Sequence, residues 1–125
     1  MSNVCSELDS ERDGLRKLPG AKRRPVRITV LKVMGCSEIY GERPAESLPE
    51  YHTDKCIRFR EGQTIIVDES GFQPEDFPCQ WAWQDIYPIV LTLQLGGNFF
   101  WLRDGVQYAC CTDGLKPVFF RLERM

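Results

Sequence analysis

The sequence lacks the short motifs that identify most catalytic and metal-binding proteins. It has one histidine, no C-x-x-C pair and no G-x-G-x-x-G, and no P-loop lysine accompanies the glycine pair Gly96-Gly97. Strong structural zinc sites depend on close cysteine pairs, and phosphate-binding loops depend on those glycines and that lysine. The pattern therefore argues against a zinc finger and against a nucleotide-binding loop.

Long apolar runs and an excess of basic residues are also missing. No segment approaches the roughly 18 consecutive apolar residues of a membrane-spanning helix, and residues 1–20 contain no apolar core of a secretory signal. Lysine and arginine number 16 against 18 acidic residues, a net charge of -2. No global field attracts nucleic acid at that charge. We expect a cytoplasmic protein that binds neither membrane nor nucleic acid.

The composition is that of one globular domain of 125 residues, 42% hydrophobic and 27% charged. Residues 1–25 are polar and without periodicity, and they include the basic run Lys22-Arg23-Arg24. We predict a flexible N-terminal extension over 1–25 and a single α+β domain over 26–125. The six cysteines are Cys5, Cys36, Cys56, Cys79, Cys110 and Cys111. They make up about 5% of the chain, below the roughly 8–10% of disulfide scaffolds, so reduced thiols are expected.

Four strands and one main helix are predicted. The strands are 26–33, where Val26, Ile28 and Val30 alternate with polar residues, then 64–68, 106–112 and 117–123. The long connection 34–62 is predicted to hold a short helix near 47–52. This order predicts a small, mostly antiparallel sheet of about four strands, with the helix packed on it.

The main helix is predicted from the segment FPCQWAWQDIYP, residues 77–88. Asp76 is the predicted N-cap, Pro78 lies in the first turn, and Pro88 should kink the helix near Tyr87. The glycine pair Gly96-Gly97 should end it. The residues of its apolar stripe are Cys79, Ala82, Trp83, Ile86, Val90 and Leu93.

Asp113-Gly114 predicts a tight hairpin between the last two strands. A two-residue type I′ turn places Thr112 opposite Leu115 and Ala109 opposite Val118. On that register Cys111 shares a face with the apolar residues Ala109, Val118, Phe120 and Leu122. Cys110 then lies on the other face with Tyr108 and Phe119, so the two thiols cannot easily serve one site.

The first functional hypothesis is a small enzyme without a cofactor. Asp85 lies at the border of the apolar stripe, about one turn beyond Cys79, and could act as a general acid or base beside that thiol. The predicted catalytic residues are Asp85, Cys79 and Cys111. The predicted substrate-binding residues are Trp81, Trp83, Asn98 and Trp101. Lyase, isomerase or hydrolase chemistry on a small organic substrate would suit this site, and a homo-oligomer is compatible with it.

Two other classes remain open. The cysteines could serve a metal-binding or thiol-redox accessory protein, in which Cys56, Cys79, Cys111 and His52 bind zinc or another transition metal. Alternatively, the chain is a structural or interaction module, its cysteines are small core residues, and Asp85 is simply solvated.

Several segments resemble a family of short, uncharacterised microbial proteins known especially from anaerobic bacteria. The segments are VRITVLKV, C-x-x-F-x-E-G-Q (56–63), C-x-W-A-W-x-D-I-Y (79–87), GGNF-x-W (96–101) and ACCTDGLKPV-x-F-x-LER (109–124). The resemblance runs from about residue 26 to the C-terminus. It implies motif positions for Cys56, Cys79, Trp81, Trp83, Asp85, Cys110, Cys111 and Asp113. Cys5, Cys36 and His52 lie outside these motifs, and the resemblance implies no particular activity.

Overall fold

The computed structural model describes residues 23–42 and 46–125. Within these ranges it contains four strands and two helices, which confirms the predicted α+β class. In chain order they are β1 (Val26–Val33), α1 (Cys36–Tyr40), β2 (Thr64–Val67), α2 (Gln80–Gln94), β3 (Val106–Cys110) and β4 (Val118–Arg124). The predicted flexible extension lies largely outside the described residues. At its end, the Arg24 N–H donates to the carbonyl oxygen of Gln94 at 3.0 Å.

The strands form one antiparallel sheet in the order β2-β1-β4-β3. Val26, Ile28 and Val30 of β1 are buried, as the alternation predicts, and they meet the buried stripe of α2. A register irregularity between Val30 and Lys32 changes the facing after that point, so Val33 is buried as well. Burial of one face therefore sets the register of β1, one of the two inner strands.

The predicted long helix is confirmed as α2, but its predicted start is wrong. The N-cap is Cys79 rather than Asp76, and Pro78 precedes the helix. The ring of Pro78 disfavours helical backbone at Phe77, so the helix cannot begin before the proline. Cys79 has extended backbone angles, and its Sγ accepts a hydrogen bond from the Ala82 N–H at 3.4 Å.

The predicted glycine stop of α2 is confirmed. Gly96 has a φ of +90°, which glycine adopts without a Cβ clash. The Gly96 N–H donates to the carbonyl oxygen of Leu93 and the Gly97 N–H to that of Thr92, which is a Schellman motif. The helix continues through Pro88, whose carbonyl oxygen accepts a hydrogen bond from the Thr92 hydroxyl at 2.7 Å.

No α-helix forms near 47–52, where a short helix is predicted: among the described residues only 46–47 are 3₁₀-helical, bends and turns follow, and the α-helix of this connection is α1. Asp54 stabilises α1 at its first turn. Its carboxylate accepts hydrogen bonds from both the N–H and the hydroxyl of Ser37, each at 2.8 Å. This capping group lies 17 residues along the chain, so a local pattern could not reveal it.

The predicted β3–β4 turn is also wrong, although the predicted faces are right. Ala109 pairs with Phe120 rather than with Val118, a shift of two residues. Gly114 lacks the positive φ that a type I′ turn requires, and Asp113 Oδ1 instead accepts the N–H groups of Leu115 and Lys116. Because a shift of two residues preserves facing, Cys111 is buried on the core side and Cys110 is exposed, as predicted.

Candidate functional site

One cavity collects three thiols from three separate parts of the chain. Its volume is about 610 Å³, and Cys56, Cys79 and Cys111 line it. Cys56 lies in the long connection, Cys79 caps α2, and Cys111 follows β3. All three are free thiols. The remaining lining residues are Ile57, Arg58, Phe59, Gln73, Pro78, Gln80, Trp81, Ala82, Asp113, Lys116 and Val118.

Backbone hydrogen bonds hold two of the three sulfur atoms in place. Cys79 is half-buried, and the Ala82 N–H in the first turn of α2 points at its Sγ. Cys111 is buried, and its Sγ accepts the N–H of Val118 at 3.3 Å. Its own N–H donates to the Val118 carbonyl oxygen at 3.0 Å, which extends the β3–β4 pairing by one residue. Both thiols therefore have defined positions.

Two cations and one carboxylate complete the polar lining. Arg58 Nη1 donates to the carbonyl oxygen of Pro78 at 3.1 Å, next to Cys79 in the chain. Lys116 Nζ donates to the Thr53 hydroxyl at 3.2 Å. Asp113 is the carboxylate, and its Oδ1 is occupied by the two N–H groups of its own turn. The motif search on sequence did not identify Arg58 or Lys116 as site residues, although Arg58 lies only two positions from Cys56.

Asp85 is not part of the cavity lining, and its carboxylate holds Thr112 instead. Oδ2 accepts the Thr112 N–H at 2.8 Å, and both carboxylate oxygens lie 3.1 Å from the Thr112 hydroxyl. Trp81 Nε1 donates to that same hydroxyl at 2.5 Å. Trp81, Thr112 and Asp85 thus form a hydrogen-bond chain that fixes the residue between Cys111 and Asp113.

The other predicted substrate-binding residues lie away from the cavity. Trp83 packs edge-on against Phe77 with ring centroids 5.6 Å apart. Asn98 Oδ1 accepts hydrogen bonds from the Gly105 N–H at 2.9 Å and from Arg124 at 2.7 Å. Trp101 is 60% exposed beyond the C-terminal end of α2. The structure therefore brings Cys79, Cys111 and Trp81 together and leaves Asp85, Trp83, Asn98 and Trp101 outside the lining.

His52, which we considered as a metal ligand, is half-buried and does not line the cavity. Its Nε2 is buried and has no hydrogen-bond partner in the part of the chain that the structure describes. Within residues 23–42 and 46–125, no group of three or more histidine, cysteine, aspartate or glutamate side chains has a geometry that could hold a metal ion. The three cavity thiols would have to move together to bind one.

Cys110 lies on the opposite side of its strand from Cys111. Its thiol is exposed at the surface, yet partial desolvation raises its pKa above the ordinary value of 9.0, and Cys111 and the Asp85 carboxylate raise it further. The carboxylate acts by disfavouring a second negative charge nearby. Cys110 is therefore mostly protonated at neutral pH, which makes it a poor nucleophile.

Comparison with known proteins identifies no relative: no family model matches the chain, and no curated protein and no solved structure is significantly similar to it. The motif resemblance therefore remains a prediction. No helix of the described residues is long and apolar enough to cross a membrane.

Proposed function

We propose that the protein is a cofactor-independent enzyme that acts on small organic molecules through a cysteine nucleophile. The observation that carries this proposal is the convergence of three free thiols on one cavity of about 610 Å³. Ligand cavities in proteins commonly measure about 300–1,000 Å³. The size suits a small metabolite, and the thiols are its most reactive groups.

Cys79 is the proposed nucleophile. It is half-buried, it lines the cavity, and it caps α2 with the Ala82 N–H directed at its sulfur. The N-terminus of a helix stabilises negative charge, which develops on a thiol as it reacts. The thiol proton would pass to water, and the sulfur would add to a C=O or C=C carbon of the substrate, whose π electrons move to the neighbouring atom and take up a proton from water. The new S–C bond would break again on product formation, so that the thiol is regenerated without an external oxidant or reductant.

The other residues support that step. Cys111 presents a second thiol, and the indole of Trp81 contributes an apolar wall. Asp85 is proposed as a positioning residue rather than as the general acid or base of our initial hypothesis, because its oxygens are bonded to Thr112. It holds the chain next to Cys111 and Asp113, and it does not face the cavity.

Site-directed alkylation and a panel of small electrophiles test the proposal. Folded wild-type protein would be treated with iodoacetamide, and each cysteine would be followed by peptide mass spectrometry. Thioesters, unsaturated acids and 2-oxo acids would then be screened for adducts and for turnover. We expect Cys79 to be labelled, and we expect adducts and turnover to be lost in Cys79→Ser but kept in the control Cys110→Ser. Turnover that survives Cys79→Ser would contradict the proposal, as would an unreactive Cys79.

A second candidate function is the binding of a soft metal ion. It is favoured by the three thiols that line the same cavity. Thiolate sulfur is the preferred ligand of zinc and of cuprous copper. Elemental analysis of protein purified without chelator would detect a bound ion. Stoichiometric metal that is lost in Cys56→Ser and Cys79→Ser, but kept in Cys110→Ser, would support this function. Folded protein that stays free of metal after incubation with zinc and with cuprous copper would contradict it.

A further inference from the structure

We propose that the substrate is a small organic acid whose carboxylate is bound by Arg58 and Lys116 beside the thiol of Cys79. This inference rests on the proposed function and specifies its substrate class. The two cations come from different segments, one from the long connection after α1 and one from the β3–β4 loop, and both line the cavity of the thiols. Neither cation was predicted as a site residue from the sequence.

The anchoring of Arg58 places its charge close to the proposed nucleophile. Its Nη1 donates to the carbonyl oxygen of Pro78, the residue directly before Cys79. A guanidinium carries five N–H donors in a planar fork, which matches a carboxylate with two parallel hydrogen bonds. The bond to Pro78 uses one of these donors. The others remain able to bind an anion in the cavity.

Lys116 approaches from the loop after β3. Its Nζ is held by the Thr53 hydroxyl at 3.2 Å, and an ammonium group has three donors. The turn of Asp113 places the backbone of Lys116, since Asp113 Oδ1 accepts the Lys116 N–H at 3.2 Å. A carboxylate between Arg58 and Lys116 would meet both positive charges while its reactive carbon faces the thiols.

The charge balance of the cavity differs from that of the rest of the chain. The protein has a net charge of -2, whereas the cavity is lined by two cations and one carboxylate. Within the described residues, neither Arg58 nor Lys116 has a carboxylate oxygen within 4.0 Å. Other basic side chains do form such ion pairs, among them Arg27, Arg103 and Arg121 with Glu123, Lys32 with Glu61, and Lys55 with Glu38. The cavity cations are therefore suited to a ligand carboxylate.

A matched pair of alkylating agents separates this inference from the proposed function. Iodoacetate and iodoacetamide undergo the same reaction: the sulfur bonds to the methylene carbon, and iodide leaves with the bonding electrons. Only iodoacetate carries a carboxylate. The measured quantity is the ratio of the iodoacetate rate to the iodoacetamide rate at each cysteine, obtained by peptide mass spectrometry. Cys110 serves as an internal reference, because it is exposed and outside the cavity lining. Its reference ratio is taken from Asp85→Asn, because the Asp85 carboxylate near this thiol would repel iodoacetate in the wild type.

We expect the rate ratio at Cys79 to exceed that at Cys110 by about fivefold for each of the two cations, the effect of one unit charge about 4 Å away in water. Arg58→Gln and Lys116→Gln should each lower the Cys79 ratio by a similar factor and leave the Cys110 ratio unchanged. Arg58→Lys should keep part of the preference. Arg103→Gln is the matched control, since Arg103 is exposed and outside the lining, and it should have no effect. Added salt should weaken the preference.

The outcomes distinguish the two proposals. If Cys79 reacts with iodoacetamide but shows the same ratio as Cys110, anion binding is overturned and the cysteine nucleophile stands. If Cys79 reacts with neither reagent in folded protein, the proposed function fails, and the substrate class fails with it. If one glutamine variant does not fold, the other variant and the comparison of wild-type Cys79 with the Cys110 reference still decide the question.

Discussion

Replacing Asp85 should destabilise the protein without removing a chemical group from the cavity. The carboxylate accepts the backbone N–H of Thr112 at 2.8 Å and its hydroxyl at 3.1 Å. The same hydroxyl accepts the indole N–H of Trp81. In Asp85→Ala, the Thr112 N–H loses its acceptor, and the hydroxyl loses the group that orients it toward Trp81.

The size of the effect follows from the number and exposure of these bonds. A hydrogen bond to a charged group contributes about 1.5–3 kcal/mol when it is buried. Thr112 is exposed and Asp85 is half-buried, so water replaces part of the loss. We expect Asp85→Ala to lower the free energy of unfolding by about 2 kcal/mol. Asp85→Asn keeps one oxygen acceptor and loses the charge, so about 1 kcal/mol is expected.

Urea and thermal unfolding, followed by tryptophan fluorescence and by circular dichroism, measure these changes. At about 4 °C per kcal/mol, Asp85→Ala should lower the melting temperature by about 8 °C. Asp76→Ala is the matched control. Asp76 is an exposed acid that the sequence predicts as the helix N-cap, but the structure assigns the cap to Cys79. Its replacement should change stability by no more than about 0.5 kcal/mol.

Two results would contradict this structural role of Asp85. If Asp85→Ala is as mild as Asp76→Ala, the carboxylate does not hold Thr112. If Asp85→Asn abolishes turnover while stability and Cys79 labelling stay normal, Asp85 takes part in the chemistry and is not merely a positioning residue. The asparagine variant distinguishes these roles because it keeps the acceptor that positions Thr112 and removes the group that could exchange a proton.

Three further predictions concern other parts of the molecule. The alkylation rate of Cys110 should rise with pH, with a midpoint above the ordinary pKa of a thiol. Asp85→Asn should move that midpoint to lower pH, because a nearby negative charge is removed. An unchanged midpoint would show that the carboxylate does not act on the thiol. Gly35→Ala should lower the melting temperature, because the new Cβ would collide with the Asp54 carboxylate that caps α1. Gly114→Ala is the control, since a Cβ at that position has no neighbour within 4 Å. It should be neutral or stabilising by up to about 1 kcal/mol. The hydrogen bonds from Ser37 hold the pKa of Asp54 below its ordinary value of 3.8, so its contribution to α1 is fully present above that value and is lost as the pH falls through the lowered pKa. The protection of the α1 amides, measured relative to their intrinsic exchange rates at each pH, should then fall. Protection in Asp54→Asn equal to that of the wild type at neutral pH would contradict this cause.

Local patterns predicted most of the secondary structure, and the failures have identifiable causes. The start of α2 was misplaced because an acid before a proline resembles an N-cap, while the ring of Pro78 excludes Phe77 from the helix. The hairpin register was misplaced because the side chain of Asp113 formed its own turn with the next backbone N–H groups. In both cases two nearby groups compete to set the local backbone conformation. A pattern of residue types does not show which of the two prevails.

The candidate site was predictable only in part. Cys79, Cys111 and Trp81 could be named because each lies in a conspicuous motif, and all three line the cavity. Asp85 was expected to face the site because it borders the apolar stripe of the helix. Its true partner, Thr112, lies 27 residues away, and no helical wheel contains that information.

Four features could be predicted from the sequence alone: the alternation of β1, the apolar stripe of α2, the glycine end of that helix, and the opposite facing of Cys110 and Cys111. Each follows from backbone periodicity or from the special conformation of one residue, so neighbours in the chain are sufficient. The meeting of Cys56, Arg58 and Lys116 with Cys79 around one cavity depends on the three-dimensional fold. These residues are up to 60 positions apart, and the antiparallel pairing of β1 with β4 and the packing of α2 bring their segments together.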